Sequence, residues 1–226
     1  MHIPPETEQR LRDLVRAFLA ENQKINLSAF RTEENCWAGN VLDSLAALDT
    51  PPLQEAQQLH ILDLGTGGGF PLLPLAICLP QCTFVGLDSV QKKINAVERI
   101  VKELHLPNVS LFCGRAEEVG HQPAHREQYD VILCRAVAEI NVLLEYAAPF
   151  AKTGGTVLLW KSLNIEQELQ DSLLARAELS CHLRDQHTYE LPGSFGKRQI
   201  LLFQKTSKTP GKYPRAVGVP KKQPLL

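Results

Sequence analysis

The stretch "ILDLGTGGGF", residues 61–70, decides how the rest of the chain is read. Three apolar residues enclose a single acid, Asp63; four glycines then fill five positions, and an aromatic residue, Phe70, follows. A short apolar run bounded by turn residues reads as a buried strand. Glycine weakens regular structure and is kept where φ is positive or where a ligand approaches the backbone. A strand that runs straight into such a loop presents a binding site at its carboxyl end.

Outward from this stretch, β-rich runs recur at 59–65, 82–88, 109–114, 129–136, 156–161 and 199–205, with helical patterns at 70–79, 90–105, 139–150 and 164–179. Alternation of this kind predicts an α/β fold: a mainly parallel, seven-stranded sheet with helices on both faces. "CHLRDQHTYEL" (181–191), "PGSFGKR" and the last strand read as a hairpin that adds an antiparallel edge. Before the sheet, Leu11, Leu14, Val15, Phe18 and Leu19 recur at helical spacing, predicting a helix over 5–22; a second is expected over Glu33 to Leu48, ending at Thr50–Pro52. The expectation is one domain: a helical extension over 1–50, a Rossmann-like core over 59–205 and a basic, extended arm over 206–226.

In an open parallel sheet ligands bind beyond the carboxyl ends of the strands. That rule selects Gly65, Gly67, Gly68 and Gly69 after the first strand, Asp88 and Ser89 after the second, Arg115 to Glu117 after the third, Arg135 after the fourth and Lys161 after the fifth. A nicotinamide dinucleotide is disfavoured, because Phe70 stands where the third glycine of G-x-G-x-x-G allows helix and strand to pack closely. Asp63 instead suits D/E-x-G-x-G-x-G, the loop of S-adenosylmethionine-dependent methyltransferases. It either accepts hydrogen bonds from the loop backbone or a water near the methionine part, or caps the loop structurally. Asp88 lies at the interval where a carboxylate meets ribose hydroxyls; the alternative role is to cap the following helix. Phe70 either packs the helix or stacks on a ligand.

Taken together, "NLSAFR" (26–31), "LDSL" (42–45), "LDLGTGGGFPLLPLAI" (62–77), "LDSVQKK" (87–93), "GRAEE" (114–118), "CRAVA" (134–138), "LLWK" (158–161) and "KYPRAVGVPKKQPL" (212–225) resemble the bacterial small-subunit ribosomal RNA guanine-N7 methyltransferase family, also called glucose-inhibited division protein B. The resemblance implies a class I methyltransferase fold, S-adenosylmethionine as cofactor, and methylation of N7 of a guanine in the 530 loop of 16S rRNA (guanine 527). It implies that Gly65 and Phe70 touch the cofactor, that Ala116 and Glu117 flank its adenine and that Arg135 closes the site. Many members have Arg-His before the "LDS" segment, whereas this chain has Gly39 and Asn40.

N7 of guanine carries an in-plane lone pair, so its methylation requires alignment and electrostatics rather than a general base. O6 beside it accepts hydrogen bonds, which makes Arg135 or Lys161 an orienting donor. Arg135 could instead pair with Glu117 or the cofactor carboxylate, and Lys161 could be solvated. A folded protein of this fold that binds RNA or assists ribosome assembly without turnover is the other reading, separated by whether the cofactor is consumed.

Eight of the 24 basic residues follow Glu190, where no acid occurs, so the preceding residues hold the other 16 against all 25 acids. Such asymmetry points either to a polyanion partner on the basic side or to a solubilising tail. Residues expected to meet RNA are Arg31, Lys161, Arg198, Lys212, Arg215, Lys221 and Lys222, with 16S rRNA or the small ribosomal subunit as partner. The six cysteines contain no C-x-x-C pair, so neither disulfides nor a metal are expected. The longest apolar stretch, "FPLLPLAICLP", is too short and proline-broken to span a bilayer, giving the expectation of a cytoplasmic, monomeric protein without membrane contact.

Overall fold

The computed structural model describes residues 3–135 and 138–226; Ala136, the expected end of the fourth strand, lies outside them. Seven strands, β1 (His60–Leu64), β2 (Thr83–Asp88), β3 (Val109–Cys113), β4 (Tyr129–Arg135), β5 (Ala151–Lys161), β6 (Cys181–Leu191) and β7 (Gly196–Lys205), form one sheet in the order β3-β2-β1-β4-β5-β7-β6. The reversal of order at β1 and β4 creates the switch point at which doubly wound sheets bind ligands. β7 alone runs antiparallel to its neighbours, inserted between β5 and β6, so the predicted hairpin closes the sheet with β6 on its edge.

Alternate residues of the central strands feed two cores. Ile61, Val131, Leu133, Leu158 and Ile200 meet α1 (Pro5–Lys24), α5 (Leu72–Cys78) and α6 (Gln91–Glu103). Leu62, Leu64, Ile132, Val157 and Leu201 meet α8 (Ile140–Ala147) and α10 (Leu173–Glu178). α1 buries Leu11, Leu14, Val15 and Phe18 and is tied to α6 by Glu21, whose carboxylate accepts from Arg99 (2.6 Å) and Lys24 (2.7 Å). These hydrogen bonds hold the Glu21 carboxyl at about 2, well below its ordinary value.

Four elements differ from the sequence reading. The helix expected over 33–48 is α2 (Glu33–Cys36), a π-helical turn (Trp37–Leu42), α3 (Asp43–Leu45) and a 3₁₀ turn (Ala46–Asp49). Thr50–Pro52, read as a breaker, instead opens α4 (Pro51–Gln54), because proline is tolerated in the first helical turn. The helix over 164–179 divides at buried Ser172, whose hydroxyl donates to Leu169 O, into α9 (Glu166–Asp171) and α10. β5 begins five residues earlier than expected, across Gly154 and Gly155, with a register shift against β4.

Residues 206–226 are laid on the α8 face. Tyr213 is buried, Arg126 donates to the carbonyls of Thr209 and Tyr213, and a short helix, α11 (Val219–Lys222), follows.

Candidate active site

The glycine loop hangs from β2: Gly65 N and Thr66 N both donate to Leu87 O, and Gly67 N donates to Asp88 Oδ2 at 3.0 Å. Its glycines do two jobs. Gly65 and Gly67 have φ of 75° and 55°, and the nearest atom to a Cβ on Gly67 would be Gly65 O at 3.7 Å, so the backbone there lies open to the crevice. A Cβ on Gly68 would fall 2.7 Å from the Phe18 ring, and one on Gly69 2.7 Å from Leu73, so these two admit α1 and α5 to the loop. Gly69, expected to touch cofactor, is thus a packing residue.

Two joined chambers open over the strand ends. The first, about 370 Å³, is lined by Leu64, Gly65, Asp88, Ser89, Ala116, Glu117 and Lys221 among others. The second, about 770 Å³, is lined by Phe18, Phe30, Asp43, Gly67, Phe70, Arg135, Lys161, Glu168 and Arg198 among others. Gly65, Lys93, Ala138 and Leu143 border both.

In the first chamber the Asp88 carboxylate accepts from Val90 N (2.9 Å), just ahead of α6, and from Gly67 N in the loop, retaining lone pairs toward the crevice. Glu117 accepts from Gly218 N at 3.0 Å, so the C-terminal segment is anchored to the chamber wall. Asp63 does not line either chamber. It is 1 % exposed beneath the loop, and no hydrogen bond reaches its oxygens among the described residues, contrary to the expectation of loop-backbone donors. Burial pushes its carboxyl up to about 7, partly offset by the neighbouring Thr66 hydroxyl and then by the positive charge of Arg135.

In the second chamber Arg135 is held by the N-terminal extension, not by Glu117. It donates to Asp43 Oδ2 (2.9 Å), Gly39 O (3.1 Å) and Asn40 Oδ1 (2.8 Å). The π-helical turn points these acceptors inward, and Gly39 is required there because a Cβ would lie 2.5 Å from Phe30 and 2.6 Å from Phe195. Asp43 also accepts from Tyr189 Oη (2.7 Å) and, through its carbonyl, from Trp160 Nε1 (2.9 Å); Arg198 lies 3.8 Å away. Lys161 is not solvated: its ammonium donates to Glu168 Oε2 (2.6 Å) and Ala138 O (2.8 Å). Phe70 stacks edge-on against Phe18 at 4.9 Å while its ring borders the chamber, so packing dominates.

The expected RNA contacts separate in the same way. Arg215, expected to meet RNA, forms a forked pair with buried Glu145, at 2.6 Å for the shortest contact. Arg31 braces the 22–31 turn through Asn22 O and Asn26 Oδ1, and Lys212 pairs with Glu178. Lys221 and Lys222 are exposed on α11. Four of the eight basic residues after Glu190 pair with acids of the preceding part: Arg198 with Asp43, Lys205 with Glu127, Lys212 with Glu178 and Arg215 with Glu145. Much of the charge asymmetry is therefore internal complementarity and not a free basic surface. Asp43, Asn40, Tyr189 and Glu168 escaped the sequence reading; only the quoted "LDSL" and the Gly39-Asn40 departure marked that region.

Among the described residues no cluster of three or more His, Cys, Asp or Glu is placed to hold a metal, and no helix is long and apolar enough to cross a membrane.

A 3-2-1-4-5-7-6 sheet with β7 reversed and a glycine loop at the β1 end defines a class I, Rossmann-like methyltransferase fold. Solved structures share it at low identity: an O-methyltransferase-like protein of Klebsiella pneumoniae (TM-score 0.59, 16 % identity, 86 % of this chain and 90 % of that one), and Aeropyrum pernix fibrillarin with natively bound S-adenosyl-L-methionine (TM-score 0.55, 14 % identity, 72 % and 73 %). The family model described as rRNA small subunit methyltransferase G matches residues 7–199, and the chain belongs to that family. Curated relatives bearing the name ribosomal RNA small subunit methyltransferase G include those of Carboxydothermus hydrogenoformans (40 % identical, covering 100 % of this chain and 94 % of that protein) and Deinococcus radiodurans (39 %, covering 100 % and 88 %).

Proposed function

We propose that the protein transfers a methyl group from S-adenosylmethionine to N7 of a guanine in small-subunit rRNA, the position-527 guanine of the 530 loop. Family membership makes it an S-adenosylmethionine-dependent rRNA methyltransferase. The observation that carries the site assignment is the pair of chambers meeting at Gly65, Lys93, Ala138 and Leu143. The smaller suits the donor: Gly65 brings bare backbone to its wall, Asp88 offers lone pairs to ribose hydroxyls, and Ala116 and Glu117 form the wall for adenine, while Gly67 presents open backbone to the larger chamber beside it. Bound there, S-adenosylmethionine supplies an electrophilic methyl.

The chain's residues position and exclude. The glycine loop fixes the donor side; Arg135, clamped by Asp43 and Asn40, forms a fixed cation on the wall of the larger chamber; Phe70 and Trp160 wall off solvent. Guanine N7 would accept the methyl with its own lone pair, without losing a proton, so these residues need supply no base. Placement of the two partners in line accounts for about 7–11 kcal/mol in well-oriented model reactions. An extruded loop base fits this arrangement, since N7 in an A-form helix faces a groove that side chains do not enter.

Tritium transfer from S-adenosylmethionine to 16S rRNA presented naked, in the 30S particle and in the 70S ribosome, with the product nucleoside identified, tests the reading. Label in 7-methylguanosine supports it; label in another nucleoside, or cofactor binding without transfer in all three substrates, overturns it.

A further inference from the structure

Lys161 and Glu168 form an ion pair of unusual incompleteness on the wall of the larger chamber. Lys161 ends β5 with its side chain only 10 % exposed, and Glu168 reaches it from α9. Of the three ammonium N–H groups, one goes to Glu168 Oε2 and one to Ala138 O. Glu168 Oε2 also accepts from Ile140 N at 3.2 Å, whereas no hydrogen bond reaches Oε1 among the described residues. The protein therefore uses each group partly, leaving one donor on Lys161 and one acceptor oxygen on Glu168, side by side and bordering the same cavity.

We propose that this couple reads the Watson–Crick edge of the target guanine: Lys161 Nζ donates to O6 and Glu168 Oε1 accepts from N1–H. The inference rests on the guanine-N7 reading above and adds the residues that choose the base. Guanine presents an acceptor, O6, beside a donor, N1–H; adenine presents a donor, its exocyclic amine, beside an acceptor, N1. A fixed donor–acceptor couple in the guanine sense meets adenine with two like-to-like contacts. Bases drawn out of loops are read on this edge. Contact there leaves N7, on the other side of O6, free for the methyl.

The couple also acts on the reaction. Methylation puts positive charge on the purine and makes N1–H more acidic, so its bond to the Glu168 carboxylate strengthens as the methyl arrives. Interactions that grow toward the transition state raise the rate, whereas equal binding of substrate and transition state does not. Glu168 is then both a specificity residue and a catalytic one.

The test uses unmethylated small subunits carrying guanine or 2-aminopurine at the target position. 2-Aminopurine keeps N7 but lacks O6 and N1–H. Lys161→Met and Glu168→Ala are each expected to lower kcat/KM on guanine subunits about 10- to 100-fold. Wild-type enzyme should lose a similar factor when guanine is replaced, and the variants should then lose little more. Affinity for the two subunits, measured with S-adenosylhomocysteine present, should show the same loss of preference. Lys161→Met/Glu168→Leu, which removes the pair without stranding a charge, separates recognition from folding: its S-adenosylhomocysteine affinity should match wild type, and its melting temperature should fall by no more than about a few degrees from the loss of partners for Ala138 O and Ile140 N. The proposal is overturned if the double variant prefers guanine as strongly as wild type does, or if the single variants lose equally on both bases. If wild-type product is not 7-methylguanosine, the underlying reading fails first and separately.

Discussion

The two chambers of the crevice are built from differently organised sequence. Most of the smaller chamber's wall stands at or just after a strand end, with Gly65 after β1, Asp88 and Ser89 at β2 and Ala116 and Glu117 after β3; Lys93, Leu143 and Lys221 complete it from helices. The larger chamber gathers Phe18 and Phe30 from the N-terminal extension, Arg135 and Lys161 from strand ends, Glu168 from α9 and Tyr189 and Arg198 from the closing hairpin. A small cofactor needs a few backbone groups in one place, which local loops supply. A base drawn from a folded RNA needs a wide, charged wall, and only distant segments brought together by tertiary packing provide one.

The contrast can be broken at defined points. The largest effect is expected outside both chambers, from Arg215→Ala, which leaves the buried Glu145 carboxylate without its partner; a loss of about 3 kcal/mol in denaturant titration is expected, and an unchanged unfolding midpoint would return Arg215 to the RNA-binding set. Next, Gly67→Val places a branched side chain at φ of 55° and distorts the glycine loop that carries Gly65 along the donor chamber, weakening S-adenosylmethionine binding by roughly 100-fold in calorimetry. Asp43→Asn attacks the other chamber. It is expected to reduce kcat/KM about tenfold with unchanged donor affinity, because it removes charge-assisted bonds that hold Arg135. Equal losses in both quantities would merge the chambers into one functional unit.

Smaller effects sharpen the picture. Lys221→Ala should weaken donor binding by no more than about threefold, since an exposed rim charge contributes little. Paired with Lys222→Ala it should flatten the salt dependence of RNA binding by about one unit of log–log slope per lost phosphate contact. Asp63 titrates above the ordinary carboxylate range, so the native state holds its proton where the unfolded chain has released it. Its contribution therefore disfavours the folded state as pH rises from about 4 through 7. Asp63→Asn should remove that slope, visible as a flatter melting temperature between pH 5 and 8 on the order of a few degrees.

What could be read in the chain follows the same division. The succession of strands and helices along the chain, the antiparallel hairpin and the glycine loop were legible because each rests on a short-range pattern: alternating apolar runs, turn residues, a fixed glycine spacing. Asp88 was legible for the same reason, as was Arg135 as a strand-end residue. Arg135's partners were not, since Asp43 and Asn40 reach it only through a π-helical turn that no periodicity announces. Arg215 misled because composition counts charge without pairing it; its carboxylate partner lies 70 residues earlier. Glu168 looked like any acidic residue in the first turn of a surface helix.

A π turn closes its hydrogen bonds one residue later than an α turn, so the segment Trp37–Leu42 carries one residue more than a straight helix would need. Removing that one residue would let the segment wind as regular α-helix with its flanks in nearly the same phase, so Phe30 and Trp37 would stay close to their seats. The loss would be local: the Gly39 carbonyl and the Asn40 side chain would no longer be splayed toward the Arg135 guanidinium. The extra residue is a bulge that lets a helix offer its own flank to a cation.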